Sequence, residues 1–68
     1  MRWRLVSDDG VSISYVSRNG AYRAVIVRGK EYPLTILHRL TGEVLYSAVE
    51  QNFSDAYEAM MRWSPWMR

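Results

Sequence analysis

One stretch decides the fold of this chain, and it reads Ser54-Asp55-Ala56-Tyr57-Glu58-Ala59-Met60-Met61-Arg62-Trp63. At about 100° per residue, most of its apolar side chains share one arc with Phe53, and its charged side chains lie opposite. The apolar arc contains Phe53, Ala56, Tyr57, Met60, Met61 and Trp63, and the charged arc contains Asp55, Glu58 and Arg62. The stretch therefore predicts one amphipathic helix that packs on another layer.

The ends of this helix are marked in the sequence as well. Ser54 is a residue type that caps the first free N–H groups, and Pro65 disfavours helical backbone at Ser64. We therefore predict a helix from Ser54 to Trp63. Its core residues are predicted to be Phe53, Ala56, Met60 and Trp63.

Upstream of the helix, the sequence reads as short strands separated by turns. Alternating or apolar runs occupy 3–5, 11–15, 22–28, 34–40 and 44–49, and turn-forming residues lie between them. Because short turns make neighbouring strands antiparallel, the predicted class is α+β. The prediction is an antiparallel β-meander of four to five strands with one C-terminal α-helix packed on one face, in a single domain spanning residues 1–68.

Two local features refine this prediction. Asn19-Gly20 is the pair that favours a two-residue hairpin turn with positive φ at both positions. The later strands carry apolar side chains on both faces, which one helix of about ten residues cannot cover. Val25, Val27, Leu37 and part of the last strand are therefore expected to lack cover.

The usual stabilising devices of small domains are missing from these 68 residues. A chain of this length buries only about 60% of its unfolded surface. The sequence has no cysteine and one histidine, so it predicts neither a disulfide nor a structural zinc site. Dense packing or self-association remains, and we expect a homodimer that forms through a sheet face or an edge strand.

Charge and hydropathy limit the classes of ligand and the cellular location that we expect for the protein. The chain has eight arginines, one lysine and seven carboxylates, for a net charge of +2, and the two signs are interspersed rather than separated into blocks. This balance permits nucleic-acid binding without favouring it. With no signal-peptide pattern and no apolar run of membrane-spanning length, the expected location is cytoplasmic, without membrane contact.

The sequence offers little for catalysis. His38 is the only imidazole, no serine lies in a nucleophile motif, and the four glycines stand singly in turns. A lone histidine at an apolar strand position is most often a packed or rim residue. We therefore predict no enzyme, no catalytic residue, no cofactor and no metal.

Two binding functions remain. A single-stranded nucleic-acid-binding protein would use arginine and tyrosine on the sheet, and the candidates are Tyr22, Arg23, Arg39 and Tyr46. Neighbours in a strand point to opposite faces, however, so Tyr22 and Arg23 cannot share one platform. This function is the alternative.

Binding of a protein partner explains more of the sequence. The chain ends in Trp63-Ser64-Pro65-Trp66-Met67-Arg68, and tryptophan and arginine are enriched at interface hot spots. Trp63 is expected in the core, whereas Trp66 and Met67 either seal the core or contact a partner. The predicted partner-binding residues are Tyr46, Arg39, Arg62, Trp66, Met67 and Arg68.

We therefore predict a small interaction module that regulates or inhibits a partner protein by occupying its surface. Phage-encoded inhibitors such as anti-CRISPR proteins, and antitoxins, are analogous in size and in their lack of catalytic groups.

Overall fold

The structure is a computed structural model that describes residues 1–67, with side chains up to Trp66. Five strands form one open antiparallel sheet in the order β1-β2-β3-β4-β5, followed by one helix. The elements are β1 (Trp3–Asp8), β2 (Ser12–Ser17), β3 (Tyr22–Val27), β4 (Tyr32–His38), β5 (Val44–Glu50), α1 (Phe53–Arg62) and a 3₁₀ turn (Pro65–Met67). The predicted α+β meander with a packed C-terminal helix is confirmed.

Helix α1 begins one residue before the predicted start, and its cap is Asn52 rather than Ser54. Asn52 has extended backbone, and its Oδ1 accepts a hydrogen bond from the Asp55 N–H at 2.9 Å. The prediction of Ser54 as the cap was wrong because asparagine caps a helix at least as well as serine does. Trp63 ends the helix with extended backbone, two residues before Pro65.

The core lies between α1 and one face of the sheet. Met60 is completely buried, and Ala56 and Trp63 are buried with it, as predicted. Phe53 is half-buried against this core, whereas Tyr57 and Met61, at the border of the apolar arc, are exposed. The buried strand residues opposite the helix are Ile13, Tyr15, Ala24, Ile26, Leu34 and Ile36.

Aromatic side chains tie the first strand to the end of the helix. The Trp63 ring lies 5.2 Å from that of Tyr22 and 6.3 Å from that of Trp3, between centroids. The Trp3 indole N–H also donates to the Met60 carbonyl at 3.1 Å. This contact joins residues 57 positions apart in the chain, so it stabilises the closed arrangement of β1 and α1.

The turn at Asn19-Gly20 differs from the prediction. Gly20 has a positive φ of 78°, but Asn19 does not, and four residues separate β2 from β3. The Asn19 side-chain oxygen accepts hydrogen bonds from the Ala21 N–H and the Ser17 hydroxyl. These bonds hold a longer turn, so the predicted hairpin of β2 and β3 is confirmed and the predicted primed turn type was wrong.

An ion pair joins the last residue of β1 to the residue that follows β3. The Arg28 guanidinium donates to both carboxylate oxygens of Asp8, at 2.7 and 3.0 Å. This hydrogen bonding, followed by that from the Gly10 N–H, lowers the pKa of Asp8 from 3.8 to about 2. The carboxylate form of Asp8 is therefore favoured in the folded protein.

Burial predicts opposite results for two adjacent methionines. Met60→Asp would place an unpaired charge in the core, at a cost of several kcal/mol, which is a large share of the stability of a small domain. Met61→Asp is the matched control, because Met61 is 39% exposed. In thermal melts followed by circular dichroism we expect Met60→Asp to be unfolded and Met61→Asp to melt near the parent. Similar melting of all three proteins would contradict the packing of α1.

The Asp8 ion pair predicts a pH-dependent difference in stability. A lowered folded-state pKa contributes stability above the unfolded pKa, and this contribution is lost as pH falls through the folded pKa. Asp8→Asn should therefore melt below the parent at pH 7, and the gap should close as pH falls from about 4 to 2. Glu31→Gln is the control, because it removes an exposed carboxylate with no ion pair among the described residues. A gap that persists at pH 2 would rule out this role of the Asp8 charge.

Candidate interaction surfaces

Helix α1 covers one face of the sheet, and the strand register defines the other. One row of neighbours on this second face runs Arg4, Val16, Arg23, Leu37, Val44 across the five strands. The next row runs Ser7, Ser14, Val25, Thr35, Ser47, and beyond it Ser12 pairs with Val27 and Pro33 with Val49. This side of the sheet is called the open face below.

Part of the open face is aliphatic. We define the aliphatic patch as the side chains on β3 to β5 that share this face, namely Val25, Val27, Leu37, Val44 and Val49. Val44 is 57% and Val49 56% exposed, Val27 is also exposed, and Val25 and Leu37 are half-buried. The expectation that these strands lack cover is therefore met most fully at Val27 and on β5.

Apart from Val16 and Pro33, the rest of the open face is polar, and its charged residues among those described are arginines. Arg23 lies across the sheet from Leu37, and its Nη2 donates to the Ser14 hydroxyl at 3.2 Å. Ser14 and Val16 beside it are buried. Among the described strand residues of this face, Arg4 and Arg23 are the charged ones, and no carboxylate belongs to the rows.

A group of exposed arginines occupies one end of the sheet. We define the basic end as Arg2, Arg4, Arg18 and Arg39, which come from the start of the chain, from β1 and from the residues that follow β2 and β4. The Arg18 N–H donates to the Arg2 carbonyl at 3.0 Å, and Arg39 Nη1 donates to the Gly20 carbonyl at 2.9 Å. These hydrogen bonds hold Arg2, Arg18 and Arg39 at the same end of the sheet.

Two open grooves lie between these arginines. One, of about 460 Å³, is lined by Arg2, Trp3, Arg4 and Arg18. The other, of about 420 Å³, is lined by Met1, Arg2, Ser17, Arg18 and Asn19. Ion pairs within the described residues are limited to Arg28 with Asp8 and Arg62 with Glu58, so no guanidinium of the basic end has a carboxylate within 4.0 Å there.

The predicted partner-binding residues fall in separate places. Tyr46 and Arg62 lie on the helix side, where they line a cavity of about 240 Å³ with Ala59 and Trp63. Trp66 is 84% exposed, so its indole does not seal the core. Arg39 lies at the basic end instead, and the side chain of Met67 and all of Arg68 lie outside the described residues.

The residues proposed for base stacking are also divided. The Tyr22 ring packs against Trp63 and His38, and Tyr46 lines the helix-side cavity. Arg23 points to the open face. The prediction that Tyr22 and Arg23 face apart is confirmed, and so the four candidates do not form one platform.

His38 is a packed rim residue, as its strand position indicated. Its ring is half-buried and perpendicular to that of Tyr22, at 5.8 Å between centroids. Its Nδ1 is buried and has no hydrogen-bond partner among the described residues. Within residues 1–67 there is no group of three or more histidine, aspartate or glutamate side chains placed to hold a metal ion, and no helix there has the length and hydropathy of a membrane span.

Sequence reasoning missed the basic end because its arginines are far apart along the chain. An antiparallel meander returns to the same end after every second strand, so the residues that flank alternate turns become neighbours. The signal was available in the predicted strand order, which places Arg2, Arg18 and Arg39 at one end. A count of charges along the sequence does not show this grouping of arginines.

Comparison of the chain with protein-family models, curated proteins and solved structures found no match. The candidate surfaces must therefore be judged on their own chemistry.

The two C-terminal tryptophans should differ in their effect on stability. Trp63→Ala removes a ring that is 3% exposed and packed on Trp3 and Tyr22, at a cost of about 3–5 kcal/mol. Trp66→Ala removes an exposed ring and should change the free energy of unfolding by less than about 0.5 kcal/mol. Urea denaturation of both variants tests this, and a large loss for Trp66→Ala would show that its indole packs on the fold.

Proposed function

We propose that this protein is a non-enzymatic interaction module that regulates or inhibits a partner protein by occupying its surface. The observation that carries the proposal is the aliphatic patch on the open face. Contiguous exposed apolar patches on small proteins commonly mark contacts with other macromolecules. Val44 and Val49, each more than half exposed, are the most accessible parts of this patch.

Burial of these side chains supplies a favourable free energy of association. Apolar surface removed from water contributes about 25 cal/mol per Å², before the cost of association is subtracted. To exceed the cost of association, the free energy of burial must come from apolar surface on both proteins. The partner is therefore expected to present an apolar centre as well. The patch is therefore proposed as the centre of the interface, with polar residues around it.

The charge around the patch indicates the chemistry of the partner. Arg23 is the direct cross-strand neighbour of Leu37, and the described strand residues of this face contribute no carboxylate. A complementary surface would place a carboxylate opposite Arg23, where arginine can form a bidentate pair. We infer a protein partner with an apolar centre and an acidic residue at its border.

The C-terminal residues are proposed as a second contact. Trp66 offers an exposed indole, and Tyr46 and Arg62 line a cavity on the helix side. Tryptophan, tyrosine and arginine are the residue types enriched at hot spots. Met67 and Arg68 keep their predicted place in this contact, with Arg39 as a separate charged residue.

Self-association remains a prediction, and the sheet indicates its route. Both edge strands contain a register shift, between Leu5 and Ser7 in β1 and where β5 passes Ile36 and Leu37 of β4. Irregular edges pair poorly with a second strand. A homodimer would therefore form through the aliphatic patch rather than through an edge. The cytoplasm and a phage inhibitor or antitoxin role stay proposals from size and composition.

The aliphatic patch can be tested against a matched surface site. The double variant Val44→Asp/Val49→Asp places charge in the patch, and Val11→Asp places it at a valine that is 61% exposed in the first turn. The tagged proteins are used to capture a partner from native cells, with nuclease treatment of half of each sample, and the purified partner is then titrated. We expect the double variant to lose at least about 2 kcal/mol of binding free energy and Val11→Asp to bind like the parent.

Three controls complete this test. Circular dichroism should show that each variant is folded, and the affinity of the parent should change little between low and moderate salt. Trp66→Ala in the same titration measures the second contact. Equal affinity of the double variant and the parent would contradict the proposal. Sedimentation equilibrium in which the double variant dissociates a dimer would make a second copy the occupant of the patch.

A further inference from the structure

We propose that the basic end binds the phosphate backbone of a nucleic acid. The protein-binding proposal rests on the aliphatic patch, whereas this inference rests on Arg2, Arg4, Arg18 and Arg39, and Arg39 is the one residue named in both. The two proposals therefore succeed or fail separately.

The fold separates charges that are interspersed along the sequence. Asp8 ends β1, Asp9 lies in the β1–β2 turn, and Glu31 lies in the β3–β4 connection. Glu50 pairs with Tyr32 at the same end, and Asp55 lies in the first turn of α1. Five of the seven carboxylates thus lie at the end of the sheet opposite the basic end, together with Arg28 and Lys30, whereas Glu43 lies in the β4–β5 connection at the basic end. The net charge of +2 hides this separation.

Within the described residues, no arginine of the basic end stabilises the fold through an ion pair. All four are exposed, and none has a carboxylate within 4.0 Å among the described residues. Like charges on neighbouring strands repel each other. An anion bound between them would remove this repulsion, and arginine donates to phosphate oxygens in a bidentate geometry.

The spacing of these arginines fits a polymer with regularly repeated charges. Arg2 and Arg4 are two positions apart in an extended segment, a separation of about 7 Å. Arg2 and Arg18 are hydrogen-bonded neighbours across strands, where the spacing is about 4.8 Å. Arg39 follows β4, and β4 is three strands from β1, so about 14 Å separates Arg39 from the strand of Arg4. The two grooves lie along the first part of this path.

A nucleic acid meets this arrangement more readily than an acidic protein does. A protein surface would need about four unpaired carboxylates within that distance, and their mutual repulsion would destabilise it. A phosphate backbone carries its charges on every nucleotide. Apart from Met1, the side chains that line the grooves are arginine, serine, asparagine and the half-buried Trp3, without the aliphatic anchors that a protein interface uses.

The same geometry predicts binding without base recognition. Base stacking needs exposed aromatic faces, and the tyrosines proposed for that purpose lie on the helix side. The Trp3 indole N–H already donates to the Met60 carbonyl. Contacts are therefore limited to phosphate and sugar, which position a ligand and carry no sequence information.

Fluorescence anisotropy with defined probes tests this proposal. The probes are a labelled 20-nucleotide thymidine strand, a labelled 20-base-pair duplex and a labelled 20-residue polyglutamate peptide. With four phosphate contacts to the single strand, the slope of log affinity against log salt should be about −2.8. Affinity should then fall roughly 50-fold between 50 and 200 mM salt.

Charge-matched variants locate the site. Arg18→Gln removes one charge from the basic end, and Lys30→Gln removes one exposed charge elsewhere. The first variant should reduce the slope by about 0.7, and the second should leave it unchanged. Arg18→Lys keeps the charge and should retain most of the slope, which separates charge from folding.

Three results would overturn the proposal: no binding of either nucleic acid at 50 mM salt, equal losses for Arg18→Gln and Lys30→Gln, or polyglutamate binding as tight as that of the thymidine strand. The last result would assign the basic end to an acidic protein instead. Similar affinity for single-strand and duplex probes of several sequences supports recognition of the backbone.

Discussion

Met60 and Trp63 anchor a helix of ten residues on one face of a five-stranded sheet, and most other features of the molecule depend on this contact. A helix of that length spans about 15 Å, whereas five strands extend about 19 Å across the sheet. The helix can cover most of one face and none of the other. Trp63 extends the cover by packing against Tyr22 and Trp3, and the Trp3 indole hydrogen bond draws β1 to the helix end. The open face and its exposed valines follow from the same limit.

The meander imposes the second constraint. Each short turn reverses the chain, so successive turns lie at opposite ends of the sheet and alternate turns lie at the same end. Residues that flank the β2–β3 and β4–β5 turns meet the start of β1 at one end, and residues of the other connections meet at the opposite end. Four arginines with Glu43 at the first end, and five carboxylates with Arg28 and Lys30 at the second, produce a charge separation with no charged block in the sequence. The ion pair between Asp8 and Arg28 shows that the fold can pair arginine with carboxylate where both are at hand. At the basic end it leaves the guanidinium groups exposed.

Periodicity was sufficient to predict the architecture, since helix and strand patterns differ and the turns are short. It predicted Ala56, Met60 and Trp63 in the core and the lack of cover at Val27 and on β5. It failed where two residue types compete for one task, as Ser54 and Asn52 do for the helix cap. It failed again at Asn19, which does not have a positive φ. Its side-chain oxygen accepts a hydrogen bond from the Ala21 N–H within the turn instead. The grouping of Arg2, Arg18 and Arg39 needed strand order as well as residue type, so a linear count of charges could not show it.

The two candidate surfaces meet at Arg23, which gives their proposed roles a physical relation. Arg23 pairs with Leu37 of the aliphatic patch on one side and with Val16, next to Arg4, on the other. A protein partner on the patch and a nucleic acid on the basic end would therefore lie side by side. Each would bring negative charge near the same guanidinium groups, and two adjacent anionic ligands repel each other over a screening length of about 8–10 Å at moderate salt. This repulsion would weaken simultaneous binding at low salt, and an Arg23 guanidinium placed between the two ligands would offset it. The resulting coupling free energy between the two sites is the same whichever ligand binds first.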